Sequence, residues 1–102
     1  MKFLPPPPLI EAMQLAGENI AIARKRRRWT ESMMAERVGV SRQTYAKIEA
    51  GEPGVSWGAV ANALFVLQMT EQVGRLAAPE TDPVGQQLSV DELPQRVRRP
   101  RR

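Results

Sequence analysis

The chain contains no cysteine and no histidine. Disulfides, thiolate nucleophiles, the usual zinc sites and the commonest general base are therefore excluded, which argues against an enzyme and implies no cofactor. Aromatic residues are few: two Trp, two Phe and a single Tyr leave no stacking platform for sequence-specific RNA recognition. Long apolar runs are missing as well. The longest, Val60 to Met69, is interrupted by Asn62 and is too short to span a bilayer. Prolines near the N-terminus stand where a signal peptide would need its apolar segment. These features predict a cytoplasmic protein with no membrane partner.

What is present fits one small domain. The 102 residues are 42% apolar and 25% charged, ordinary values for a globular protein with a single core. The formal charge is +4 and the pI about 10.3. Ten of the fifteen Lys and Arg fall in two clusters, Arg24 to Arg28 and Arg96 to Arg102. Such clustering suits an anionic partner.

The stretch from Trp29 to Gly51, WTESMMAERVGVSRQTYAKIEAG, reads as two short helices around a tight turn. Thr30 is a good N-cap, Met34 and Val38 share a face four residues apart, and Gly39 stands where a left-handed residue commonly ends a helix. Ser41 caps a second helix in which Tyr45 and Ile48 share a face, and Gly51 supplies its stop. Two helices that cross steeply through a short turn need a small residue near their contact, and Ala35 is placed for that role, with Val40 closing the same core.

Around this unit the chain divides into three parts. Residues 1–8, with Pro5 to Pro8, predict a stiff extended arm or an ordered lead-in. Residues 9–78 are expected to hold five helices. The first runs from Leu9 to about Arg27 on a stripe of Met13, Ala16, Ile20 and Ala23. It ends in Arg24, Lys25, Arg26, Arg27 and Arg28, which complement the helix dipole but spread around all its sides, so at least one should point inward. The fourth is capped by Ser56 and runs from Trp57 to about Gln68. Its stripe is Trp57, Val60, Ala61, Leu64, Leu67 and Gln68, with Phe65 and Val66 beside it. An apolar surface that wide implies a second buried face, which points to dimerisation through Trp57, Leu64 and Phe65 or to cover by a fifth helix from Glu71 to about Ala78. Residues 79–102 carry four prolines and turn from acidic to basic, predicting a largely disordered tail that folds only on a partner.

Ile20 to Gly51, through Met34, Ala35, Val38, Gly39, Val40, Tyr45 and Ile48, resembles the five-helix DNA-binding domains of the lambdoid phage repressor and Cro class, the XRE family. The resemblance implies an all-α helix-turn-helix fold and a buried ion pair between Arg24 and Glu49. It also implies that the second helix of the pair enters the major groove, with Arg42, Gln43, Thr44 and Lys47 at base edges. The chemistry agrees: Arg and Lys donate to guanine, Gln bonds adenine in bidentate fashion, and the Thr methyl meets that of thymine. Arg26, Arg27, Arg28, Arg37 and Ser41 are the expected phosphate contacts. Two positions depart from the family pattern. Glu31 stands where a Gln often contacts phosphate, and Arg28 replaces a common glycine. The ending, on WGAVANALFVLQM, APETDPVG and LPQRVRR, is similar to HipB-type antitoxins. That similarity implies a homodimer on a palindromic duplex operator that sequesters a HipA-like kinase toxin or split-kinase subunits. The tail residues Leu88, Leu93, Arg96, Val97, Arg98 and Arg99 would form the partner contact. The alternatives are a stand-alone phage-repressor-like regulator and a protein-only interaction module whose helix-turn-helix no longer reads DNA.

Overall fold

The computed structural model of the protein describes residues 4–88. These form five helices and no strand: α1 (Pro7–Arg26), α2 (Glu31–Val38), α3 (Arg42–Ala50), α4 (Trp57–Val66) and α5 (Thr70–Gly74). The fold is thus the expected all-α one. Side-chain caps start three of the helices. Thr30 Oγ1 accepts from the Met33 amide at 3.1 Å, Ser41 Oγ from Thr44 at 3.0 Å and Ser56 Oγ from Ala59 at 3.1 Å, each satisfying an amide that the helix leaves orphaned.

Four helices end in the same way, on a residue with positive φ: Arg28 (59°), Gly39 (87°), Gly51 (73°) and Gln68 (64°). In each case the next amide reaches back to a carbonyl five residues earlier, as in Trp29 to Arg24 at 3.4 Å and Met69 to Leu64 at 2.8 Å. These are Schellman endings, which favour glycine because a Cβ strains the left-handed region. Two of the four lack it.

α1 starts earlier than the periodicity predicts. Pro7 and Pro8 lie in its first turn, where an amide has no intrahelical acceptor and proline costs nothing, so the extended lead-in stops at Pro6. α5 is shorter than expected and gives way before Pro79, which opens a 3-10 turn rather than ending a helix. Residues 79–88, assigned by sequence to the tail, hold two such turns. Asp82 Oδ1 accepts from Gly85 N–H at 2.9 Å, and the Gln86 amide donates to the carbonyls of Pro79 and Glu80. The signal is Asp-Pro-Val-Gly, the residue order of a type I turn.

The core is Ile20 from α1, Met34, Ala35 and Val38 from α2, Tyr45 and Ile48 from α3, and Ala63 and Leu67 at α4. α3 is clasped between α1 and α2, and α2 rests on α4. Two apolar stripes are rotated from their predicted positions. On α1 the buried line is Gly17, Ile20 and Arg24, leaving Ala16 exposed. On α4 it is Ala63 and Leu67, while Trp57 is 55% exposed. Close crossing decides both cases: a small residue lets the partner helix approach, and the large neighbours are turned aside.

Candidate nucleic-acid interface

The position of α3 follows from a backbone-to-backbone contact with α1. A Cβ at Gly17 would lie 2.8 Å from the carbonyl carbon of Glu49 and 2.9 Å from Ile48 O, so only glycine permits this approach. The contact is reinforced by a buried cluster of charge. Arg24 Nε donates to Glu49 Oε2 at 2.6 Å, Arg24 Nη1 to the Trp29 carbonyl at 2.8 Å, and the Tyr45 hydroxyl to Glu49 Oε2 at 2.5 Å. The hydrogen bond to Glu49 raises the Arg24 guanidinium above its already high ordinary value. Burial, then the bond to Glu49, pushes the Tyr45 phenol well above the usual tyrosine range. Among the described residues no buried side-chain polar atom lacks a hydrogen-bond partner, as a buried ion pair requires. On the far side, Asn62 of α4 donates to Val38 O at 2.7 Å and ties down the end of α2 beside the turn.

Held this way, α3 turns its first residues outward. The Arg42 side chain is 71% exposed, Gln43 and Lys47 are exposed, and Thr44 is half-buried. The Thr44 hydroxyl accepts from Ser41 Oγ at 3.1 Å, which leaves its own proton and its methyl for other contacts. The four residues expected at base edges therefore lie on consecutive turns of one helix, and three of them are open to solvent. Glu31, at the start of α2, lies 4.0 Å from Arg42 Nε through one oxygen and 3.9 Å from Arg24 Nη2 through the other. It thus stands beside two arginines rather than alone on this face.

The expected phosphate contacts separate. Arg26 and Arg28 are exposed at the α1–α2 corner, and Arg37 is exposed on α2 with its guanidinium 4.3 Å from the Trp29 ring centroid. That stacking holds Arg37 in place while leaving its edge free. Ser41 is exposed but serves as the α3 cap. Arg27 departs from the expectation. Its guanidinium donates to Ala23 O at 2.8 Å and to Leu67 O at 2.9 Å, joining the end of α1 to the end of α4. The residue is half-buried and engaged inside the domain.

Of the residues expected at a dimer contact, Trp57 is 55% and Phe65 63% exposed, whereas Leu64 is half-buried against the core. α5 does not close the apolar surface. A groove of about 270 Å³ remains between α1, α4 and α5, lined by Ile20, Ala23, Trp57, Leu64, Met69 and Leu76. Of the tail residues, Leu88 is 59% exposed, and Leu93, Arg96, Val97, Arg98 and Arg99 lie outside the described residues.

Sequence reading missed Gly17 and the pairing of Glu31. A glycine one turn ahead of Ile20 in a long helix was the available signal for the first. The second had none, since Glu31 and Arg42 meet only through the angle between α2 and α3. Among the described residues no helix is long and apolar enough to cross a membrane, and no cluster of acidic residues could hold a metal ion. A family model described as a helix-turn-helix domain matches residues 15–77. No curated protein and no solved structure matches the chain.

Proposed function

The chain belongs to the helix-turn-helix domain family, and from that premise we propose that it is a sequence-specific repressor that reads duplex DNA with α3. The observation that carries this reading is the exposed row of Arg42, Gln43 and Lys47 on a helix fixed from behind by Gly17 and the Arg24–Glu49 pair. A rigid helix with donors projecting from its first turns suits the major groove. Arg26, Arg28 and Arg37 supply phosphate contacts around it. Glu31 does not stand alone on this face, since it lies 4.0 Å from the exposed Arg42 and 3.9 Å from Arg24, which supports this reading over that of a protein-only module.

The repressor acts as a two-fold dimer with its recognition helices about one helical turn, roughly 34 Å, apart. The exposed Trp57 and Phe65 support that assembly. Its biological role is that of an antitoxin, which autoregulates its operon and sequesters a HipA-like Ser/Thr kinase. The similarity of α4 and of the APETDPVG and LPQRVRR segments to HipB-type antitoxins supports this role. The partner contact falls to the tail, where Leu88, Leu93 and Val97 supply apolar anchors and Arg96, Arg98 and Arg99 a basic rim.

A mobility-shift titration of the full chain on the duplex upstream of its own gene, against a scrambled duplex, tests the DNA reading. Equal affinity for both sequences, or none for either, refutes it. Co-expression with the adjacent reading frame, followed by pull-down of the full chain and of a chain truncated after Ala78, tests the antitoxin reading. Capture of a kinase-like protein by the full chain and its loss on truncation is the expected result. Retained capture with collapsed DNA binding would reverse the assignment of the tail.

A further inference from the structure

The first residue of α2 and the first residue of α3 face each other across the turn. One oxygen of the Glu31 carboxylate lies 4.0 Å from Arg42 Nε, and the other lies 3.9 Å from Arg24 Nη2. Arg24 itself is fixed: its Nε and Nη2 bond Glu49 at 2.6 and 3.3 Å, and its Nη1 bonds the Trp29 carbonyl at 2.8 Å. The Glu31 side chain is 36% exposed, against 71% for that of Arg42. The three residues therefore form a line from a buried anchor through a half-buried carboxylate to a solvent-exposed guanidinium. Thr30 caps α2 just before Glu31, so the carboxylate also stands where the helix dipole favours negative charge.

We infer that Glu31 is the residue that sets the base specificity of Arg42, by orienting its guanidinium and by denying it a phosphate. This rests on the reading that α3 enters a DNA groove. Two physical consequences of the geometry carry it. First, a carboxylate 4.0 Å from Nε attracts that edge of the guanidinium, which would leave the two Nη donors as a pair for an outside partner. A pair of parallel donors matches O6 and N7 of guanine, whereas a lone rotating arginine on an open helix face meets whichever oxygen is nearest, and on a duplex that is usually a phosphate. Second, a negative charge at the outer end of α2 repels the phosphate that would otherwise dock on that helix N-terminus. Glu31 therefore lowers affinity for DNA in general while narrowing what Arg42 accepts. Specificity is a difference of affinities, and a repulsive element serves it as well as an attractive one.

The test uses the full-length protein, the Glu31→Gln variant, Arg42→Ala and the double variant. Each is measured in two ways: selection from a library of duplexes with a randomised core, and binding to one random-sequence duplex across a salt series. Because Arg24 keeps Glu49 and the Trp29 carbonyl, the Glu31→Gln domain is expected to fold, and a thermal melt checks that. Glu31→Gln is expected to bind the random duplex about 3-fold more tightly, with a salt slope steeper by about one phosphate contact. Its selected sequences should lose the preference at one base position per half-site. That loss should vanish in the Arg42→Ala background, where there is no guanidinium left to orient. A structural role alone would move the melting temperature and leave the base preference in place. Unchanged base preference in Glu31→Gln, or a change that persists without Arg42, overturns the inference. If the parent protein binds the random duplex but selects no sequence, or binds no duplex, then groove reading by α3 falls first and the role of Glu31 falls with it.

Discussion

Replacing Gly17 by alanine should destabilise the domain, although helix propensity alone says the opposite. In a helix interior, alanine is favoured over glycine by about 1 kcal/mol. Against that stands the new methyl group, which would lie 2.8 Å from the Glu49 carbonyl carbon and 2.9 Å from Ile48 O. Favourable contacts between such atoms need about 3.5 Å or more, and the obstacles are backbone atoms that no rotamer change can move. α1 and α3 would have to separate, stretching the 2.6 Å bond between Arg24 and Glu49 and loosening Ile20 against Ile48. Overpacking of this kind costs about 1–3 kcal/mol, and weakening a buried ion pair adds to it. The net expectation is a loss of about 1–3 kcal/mol, which in a domain of this size lowers the melting temperature by about 4–20 °C.

Gly58→Ala is the internal control. Gly58 is exposed in the first turn of α4 and a Cβ there would meet nothing within 4 Å, so no clash offsets the propensity gain, which is at most about 1 kcal/mol at that position. Thermal unfolding of both variants by circular dichroism, with urea titrations to check that the m-values agree, reads the difference directly. If Gly17→Ala melted at or above the parent temperature while Gly58→Ala behaved as described, the close approach of α1 to α3 would be wrong. The account of how α3 is positioned would go with it.

Arg27→Met should lower the melting temperature, because it strips a donor from the Ala23 and Leu67 carbonyls, and should leave the salt slope of duplex binding unchanged. Arg28→Gly should do the reverse: relief of a φ of 59° offsets the added chain entropy, so stability holds or rises by up to about 1 kcal/mol while the salt slope flattens. A flattened slope in the first variant, or an unchanged one in the second, would refute the division. Gln43→Ala should cost about 1–3 kcal/mol per half-site on the preferred duplex and little on a random one, measured by competitive mobility shift. Tyr45 should give the domain an alkaline limit. Its phenol titrates above the ordinary value of 10.0 when folded, so the stability it contributes is whole below about pH 10. Above that the unfolded chain gives up the proton first, and stability falls as pH rises; Tyr45→Phe should flatten this limb in denaturation curves taken from pH 8 to 12.

The helix-turn-helix itself was legible because each of its local signals agrees with the fold. Thr30, Ser41, Gly39 and Gly51 are caps whose chemistry acts within a few residues, and Met34, Val38, Tyr45 and Ile48 repeat at helical spacing. α4 was less legible, for a physical reason. Its residues are apolar almost all round, so periodicity gives no unique face, and the stripe read from it ran through Trp57 rather than Ala63. What decides the face is how closely α4 crosses α2, which selects Ala63, the residue that hydropathy ranks low. The turns at residues 79–88 were not legible because four prolines in residues 79–102 suggested one unstructured segment, whereas Asp82 and Gly85 make a local turn that needs no core. On the candidate interface, the exposure of Arg42, Gln43 and Lys47 follows from a face of α3 opposite Tyr45 and Ile48. The proximity of Glu31 to Arg42 does not follow from any single helix, because it depends on two helix starts meeting in space.

The basic run Arg24 to Arg28 shows how far charge counting can carry such a reading. Successive residues of a helix are turned by about 100°, so positions three apart return to nearly the same side. Arg24 and Arg27 are such a pair, and both face inward, one to Glu49 and the other to two carbonyls. The spacing alone would have grouped them, once one of the two was known to be buried. Lys25 and Arg26 fall on the outer side, and Arg28, itself the left-handed residue after α1, is exposed as well. The run therefore presents three charges to an anionic partner, and two of its five arginine and lysine side chains serve the fold. A salt slope measured on the full chain should reflect that smaller number at this corner. The arrangement joins two tasks, because the same short segment that would approach the phosphates also locks, through Arg24 and Glu49, the helix that would read the bases.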